Sequence, residues 1–224
     1  IKRDTREDLF AATPPLEAKK LLFSFAVTQG IGWKEDRRNG MKIDFIDVRR
    51  AYFHAKCRRN VYIRLPEEDH QEGMCGKLGM SMYGTRDAAQ NWEEEYSDLM
   101  LTIGFSRGMA SPCVFYHKDR NIRAVIHGDD FTILGYEEEL DWFRKRIQER
   151  YEVKVKARLG PGIEDDKEVR ILNRVVSWDK EGIKYEPDQR HADIIIRDLG
   201  LNKKKSVATP GIKNCNEKEE DGDN

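Results

Sequence analysis

A chain of 224 residues, 38 % hydrophobic and 36 % charged, is long enough for one large domain or two small ones and carries a heavily ionised surface. Its 40 Lys and Arg against 41 Asp and Glu leave a net charge of −1, so any binding to a polyanion has to come from local basic patches. No apolar run approaches the ~20 residues of a membrane span, no signal peptide opens the chain, and Cys57, Cys75, Cys113 and Cys215 show neither a CxxC pair nor metal-ligand spacing with the histidines.

The cysteines therefore read as reduced thiols, and the protein as a soluble intracellular one without a membrane partner. Ile1 rather than Met at the start reads as a piece of a longer polyprotein. The charges cluster. Arg49, Arg50, Lys56, Arg58 and Arg59 form one basic stretch, and Arg144 to Arg158 a second, while an acidic segment from Glu217 to Asp223 offsets them. Each basic cluster alone reads as a solvated face.

In chain order, residues 1–15 are polar and end in Thr13-Pro14-Pro15. Leu16 to Gln29 then places Leu21, Leu22, Phe25 and Ala26 at helical spacing, with Pro15 before and Gly30 after, which predicts a helix. Met41 to Val48 alternates and is rich in β-formers, so it reads as a strand, with Asp47 near its end and Asp44 on its opposite face. Ala51-Tyr52-Phe53 follows in a tight turn or the start of a helix. Val61 to Leu65 alternates as another strand, and Glu67 to Gly76 is a polar loop.

Thr85 to Ile103 predicts the best helix of the chain, capped by Thr85, striped by Ala88, Trp92, Tyr96, Leu99 and Ile103, and stopped by Gly104. Strands are expected over Cys113–His117, Arg123–His127 and Phe131–Leu134, then a helix over Glu137–Tyr151 with acids in its first turn. Val153 and Val155 alternate with Lys154 and Lys156 in a strand, and Lys156 to Lys167 is a Gly/Pro/acid loop. Val169–Trp178 and Ile183–Tyr185 form a hairpin turning at 179–182, and Asp188 caps a last helix that ends at Gly200. From residue 202 onward the composition reads as linker or disordered tail.

The chemistry concentrates at Gly128-Asp129-Asp130, between two short apolar runs. Gly and Asp are good turn residues in their own right, so the bland reading is a plain hairpin. The functional reading is a rigid tip whose two carboxylates hold a divalent metal, and it needs a third carboxylate. The order of elements from Met41 to Lys156 is strand, helix, strand, strand, helix, strand, which is the split β-α-β layout of the ferredoxin-like motif, an α+β fold. A right-handed crossover makes the first two principal strands parallel. Asp47 then ends at the same sheet edge as Asp129 and Asp130. Three carboxylates at one edge raise one another's pKa unless a cation intervenes. A hard divalent ion suits oxygen ligands, Mg²⁺ with substrate phosphates or Mn²⁺ in its place, and such ions serve in-line displacement at phosphorus.

Several stretches also resemble one family. DFIDVRRAYFHA (44–55) resembles the first palm motif of copia-type LTR-retrotransposon reverse transcriptases, whose usual form is Asp-Val-Lys-Thr-Ala-Phe-Leu. MYGTRDAAQNW (82–92) resembles their Leu-Tyr-Gly-Leu-Lys-Gln-Ser-Pro-Arg-x-Trp segment, and HGDDFTILG (127–135) their Tyr-Val-Asp-Asp box. VRILNRVVSWDKEGIKYEPDQRHADIIIRDLGL (169–201) and VATPG (207–211) resemble the stretches that follow, up to the RNase H region. Five motifs in register span about Leu9 to Pro210.

The resemblance implies an RNA-directed DNA polymerase, a domain of a retrotransposon polyprotein that also carries RNase H and integrase. It would act on a primed RNA or DNA template with dNTPs, in the cytoplasm (in a retrotransposon particle) or the nucleus. It implies a reverse transcriptase domain over 1–201, with fingers at 1–40 and 59–84, palm at 41–58 and 85–178, and a thumb-side hairpin and helix at 179–201. Asp47, Asp129 and Asp130 would be the catalytic acids, Asp47 and Asp129 the principal metal ligands with Asp130 beside them. Tyr52 would lie under the sugar of the incoming nucleotide, ordinary core packing being its bland alternative. Val48, Ala51, Tyr83, Gly84, Arg86 and Gly128 would line the nucleotide and template, and Trp92 reads as core. The sequence departs from the family pattern at His127-Gly128 and at Asp87-Ala88-Ala89. An inactive, polymerase-derived nucleic-acid-binding remnant is the alternative function, and a plain α+β domain with an Asp-rich turn is a third.

Overall fold

The structure, a computed structural model, describes residues 11–201 and Lys205. The chain enters through helix α1 (Leu16–Val27), placed just after Pro15, whose fixed φ suits a helix entry. Strand β1 (Lys42–Val48) follows, then a short 3₁₀ turn at Ala51–His54 and a small ribbon of β2 (Tyr62–Ile63) and β3 (Gly76–Lys77). Helix α2 (Ala88–Thr102) leads into β4 (Ser106–Arg107), β5 (Val114–His117), β6 (Ile122–His127) and β7 (Asp130–Gly135). Helix α3 (Glu137–Gln148) has three glutamates in its first turn and Lys145 and Arg146 in its last, matching the helix dipole at both ends. Beyond it come β8 (Val153–Leu159), β9 (Glu168–Ile171), β10 (Arg174–Trp178), β11 (Ile183–Pro187) and helix α4 (Gln189–Asp198).

The principal sheet has six strands in the order β4-β5-β6-β7-β1-β8, every neighbouring pair antiparallel. β1 and β6 both run antiparallel to β7, so they are parallel to each other, with α2 in the connection between them. This is the order a split β-α-β layout dictates, extended by β4 and β5 at one edge. Strand alternation sorts β1 into two faces. Ile46 and Val48 join Trp92, Tyr96, Phe131, Phe143 and Ile147 in the cluster under α2 and α3. Ile43 and Phe45 join Leu22, Phe23, Ala26, Leu134 and Trp178 in the cluster under α1. Asp47 belongs by alternation to the α1 face, and Asp44 to the face of α2 and α3.

Several sequence expectations shift. α2 begins at Ala88, three residues after Thr85, whose hydroxyl instead donates to the Met82 carbonyl (2.8 Å) and closes the preceding turn. The strand expected over 61–65 shrinks to Tyr62–Ile63, because its only partner is the two-residue β3. Lys156 to Leu159, expected as loop, continue β8 alongside β1. The stretch 169–178, expected as one strand, is a hairpin that turns at Leu172-Asn173, both at positive φ (45° and 58°). Leu is not a turn residue by composition, so the alternation hid the turn. Asp188 does cap α4, accepting from the Arg190 backbone N–H.

The chain divides into two compact units, residues 1–186 and 187–224. Within the second, α4 is the element described. The linker or tail expected from 202 onward lies outside the described residues apart from Lys205. Cys57, Cys75 and Cys113 are free thiols, and Cys215 lies outside the described residues. Among the described residues no helix is long and apolar enough to cross a membrane.

Candidate active site

β6 and β7 meet in a two-residue turn, with His127 paired to Asp130 and Gly128-Asp129 between them. Gly128 has φ 62°, and Asp129 is not among the positive-φ residues, as in a type II′ hairpin turn. Glycine meets that requirement at no steric cost. Two outside bonds fix the turn. The Trp92 indole Nε1 donates to the Gly128 carbonyl (2.9 Å), and the Val48 N–H donates to the Asp129 carbonyl (2.9 Å). Trp92 is buried core, as the sequence implied, and it also ties α2 to the turn.

Asp47 and Asp130 lie directly opposite each other in the β1–β7 ladder, so their side chains share one face. The Lys156 ammonium bridges them, 2.8 Å from Asp47 Oδ1 and 2.6 Å from Asp130 Oδ1. Lys156 stands at an irregularity in β8. Phe45 pairs with Ala157 while Ile46 pairs with Val155, so Lys156 is one residue too many. Such a bulge re-aims a side chain. It leaves Lys156 on the face of Lys154 and Asp47 and sends Arg158 to the other, opposite Asp44. Burial works against the Lys156 charge, but the hydrogen bonds to Asp130 and Asp47 outweigh it and hold its pKa above the ordinary lysine value.

Asp129 projects at the tip. Partial withdrawal from water raises its carboxyl pKa above the usual carboxylate value, and the neighbouring Asp130 and Asp47 push the same way. Both its field and theirs therefore converge. Among the described residues, however, no three or more His, Cys, Asp or Glu side chains are disposed as a ready metal-holding group. The fold brings Asp47 and Asp130 together, with Asp129 adjacent in charge but not a completed third ligand. The donors are hard carboxylate oxygens, and a cationic group already sits between two of them. Carboxylate oxygens that tolerate a cation between them are the kind of donors a hard divalent ion takes.

The α1 face adds a second cation. Lys19 is buried, and its Nζ has no hydrogen-bond partner among the described residues. Desolvation lowers its pKa, and Asp130 partly counteracts this. His127, on the same face, is held below its ordinary pKa by burial first and by Lys19 next.

Beside the acids lies an aromatic shelf. The Tyr52 and Tyr83 rings are 4.5 Å apart, and Phe53 meets Tyr83 edge-on at 5.5 Å. Tyr83 and Phe53 are exposed, and Tyr52 is half-buried. Burial raises the Tyr83 pKa, with Asp129 the next cause, so the shelf and the acidic tip are electrostatic neighbours. Gly84 has φ 87° and open space where a Cβ would stand. Arg86 is exposed. Val48 and Ala51 are enclosed in the core, so their side chains act on this site through packing.

Sequence reasoning missed Lys156, Lys19, Phe53 and the Trp92 bond. Lys19 carried a signal, since Lys19, Leu22, Phe23 and Ala26 fall at i, i+3, i+4 and i+7, the buried stripe of α1. Lys156 carried one too, since it alternates with Val153 and Val155, which pair with Val48 and Ile46, and so falls on the face of Lys154 and Asp47.

The family profile described as reverse transcriptase (RNA-dependent DNA polymerase) matches residues 4–213. A retrovirus-related Pol polyprotein from transposon TNT 1-94 of Nicotiana tabacum is 24 % identical over 106 residues, 45 % of this chain. The matched stretch spans 8 % of that polyprotein's length. Given a family match over nearly the whole sequence, the chain belongs to the reverse transcriptase (RNA-dependent DNA polymerase) family, in its copia-type, retrotransposon branch.

Proposed function

We propose that the chain is the polymerase domain of a retrotransposon polyprotein and transfers nucleotidyl units from dNTPs to a primer 3′-hydroxyl on an RNA or DNA template. The observation that carries this reading is the convergence of Asp47 and Asp130 across one ladder pair with Asp129 at the adjoining turn. In this reading the sheet with α2 and α3 is the palm (41–58 and 85–178). Residues 1–40 and 59–84 belong to the fingers, and 179–201 begin the thumb side. RNase H and integrase regions of the same polyprotein are its expected partners, in a cytoplasmic particle or the nucleus.

Asp47, Asp129 and Asp130 hold Mg²⁺, with Mn²⁺ as a substitute. The bound ions supply activation of the attacking hydroxyl and neutralisation of the leaving oxygen. The chain's own residues supply position. Tyr52 and Tyr83 offer a ring surface for the sugar and base, Gly84 and Gly128 let backbone and substrate approach closely, and Arg86 faces the template side. Val48 and Ala51 set the height of this floor from below.

The test is primer extension on poly-rA/oligo-dT. Asp129→Asn is expected to reduce extension by at least ~100-fold, the scale on which losing one preorganised charge-stabilising group falls. Equal extension by the variant and wild type would refute the assignment of catalysis to these acids. One observation favours a second reading, an inactive nucleic-acid-binding remnant: Lys156 already bridges two of the carboxylates. That reading expects salt-sensitive template binding with no extension in either metal.

A further inference from the structure

The Lys156 ammonium stands between the two carboxylates that the proposed function assigns to a metal, at hydrogen-bond distance from one oxygen of each. It arrives there on the extra residue of the β8 bulge, while Arg158, two residues on, is committed to the buried Asp44 on the other face. The bulge thus splits one basic run between two faces. Arg158 becomes a fixed structural cation. Lys156 ends a flexible stem and is only about a quarter exposed. Its charge offsets the repulsion between Asp47 and Asp130, which lie side by side in the ladder.

A lysine is a compact point charge with rotatable bonds and can swing away, whereas a bidentate guanidinium is held by its fork geometry. From this arrangement we propose that Lys156 is a tethered counter-cation that keeps the acidic pair assembled without metal and must swing out when a divalent ion enters. The inference rests on the reading of Asp47, Asp129 and Asp130 as metal ligands. It goes beyond that reading by assigning a positioning and gating residue the three acids do not include. Lys156 would thereby set the apparent metal affinity. Binding a cation includes displacing the ammonium, as with any competing occupant of a state that excludes the ligand.

The experiment measures Mn²⁺ binding to the full chain by electron paramagnetic resonance of the free ion. It compares wild type, Lys156→Met, Lys156→Arg, Asp47→Asn and Asp129→Asn. Lys156→Met is expected to bind Mn²⁺ roughly tenfold more tightly, since a like charge within ~4 Å of the ion is removed, and Lys156→Arg no more tightly than wild type. A parallel readout on wild type is reductive methylation of Lys156, followed by mass spectrometry with and without Mn²⁺. Entry of the ion should increase its labelling several-fold. Equal affinity of Lys156→Met and wild type, with Asp47→Asn weaker than both, would overturn the gate and leave the metal-site reading standing. Mn²⁺ binding unchanged by Asp47→Asn and Asp129→Asn would overturn both. If Lys156→Met fails to fold, the labelling decides alone: a rise on adding Mn²⁺ supports the gate, and no change overturns it.

Discussion

Asp44 ties three elements together beside the site. Its side chain is fully buried and accepts from Arg144 (Nε 2.6 Å, Nη2 2.8 Å) and from Arg158 (Nε 2.8 Å, Nη2 3.1 Å). One carboxylate thus joins β1 to α3 and to β8. Asp44→Leu would leave two guanidiniums facing a lost partner. Breaking a buried ion pair from one side costs about 3–5 kcal/mol. Arg158 keeps Asp141 at 2.8 Å, whereas Arg144 bonds no other acceptor among the described residues. One uncompensated charge rather than two places the loss at the lower end, about 3 kcal/mol. For a chain of this size that corresponds to a fall in Tm of about 6–12 °C. Urea denaturation followed by circular dichroism measures it directly. The double variant Asp44→Leu/Arg144→Leu should recover a large part of the loss, because the stranded guanidinium goes with its partner. A loss below about 1 kcal/mol, the worth of an exposed pair, or no recovery in the double variant, would refute this account of what Asp44 does.

Much of this arrangement was legible in the sequence, and the parts that were not share a cause. β1, α2, β6, β7 and α3 carry strong periodicity, and their order alone implied that Asp47, Asp129 and Asp130 would reach one edge; the register makes Asp130, rather than the Asp129 expected as principal, the residue opposite Asp47. The burial of Trp92 followed from its place on the stripe of α2. What escaped were features made by departures from period. The β8 bulge sends Arg158 to the face opposite Lys156, where a regular strand would keep the two together. Leu172-Asn173 turns a run that alternates through it. Charge type also misled. Lys19 sits on the buried stripe of α1, but a lysine reads by default as solvated, so spacing selects Leu21, Leu22, Phe25 and Ala26, of which Leu22 and Ala26 are buried and Leu21 is exposed. Asp44 and Asp47 show the converse. Both are aspartates of one strand, and only the partners brought by α3 and β8 make the first a clamp and the second a candidate ligand.

The two remaining predictions concern the α1 face and the turn. Lys19→Met should stabilise the protein by about 1–3 kcal/mol, the cost of a buried polar group left without a partner. The folded pKa of Lys19 lies below its ordinary 10.5, so between the two values the unfolded chain binds more protons and wild-type stability rises with pH. Urea midpoints taken across that alkaline range should show the rise in wild type and a smaller one in Lys19→Met; identical slopes would remove Lys19 as its source. Gly128→Val tests the turn. No atom lies within 4 Å of where its Cβ would stand, so space is not the obstacle and the cost is the φ of 62° alone. A side chain in that region costs about 1–2 kcal/mol, more for a β-branched one. The turn cannot shed the strain by shifting, because Trp92 holds the Gly128 carbonyl and Val48 holds that of Asp129. Gly128→Val should therefore lose about 2 kcal/mol or more in urea denaturation and also bind Mn²⁺ more weakly, since relief of strain has to move Asp129. Unchanged stability would mean that the turn converts freely to another type, and the two bonds that pin it would then not be the reason the acids are held where they are.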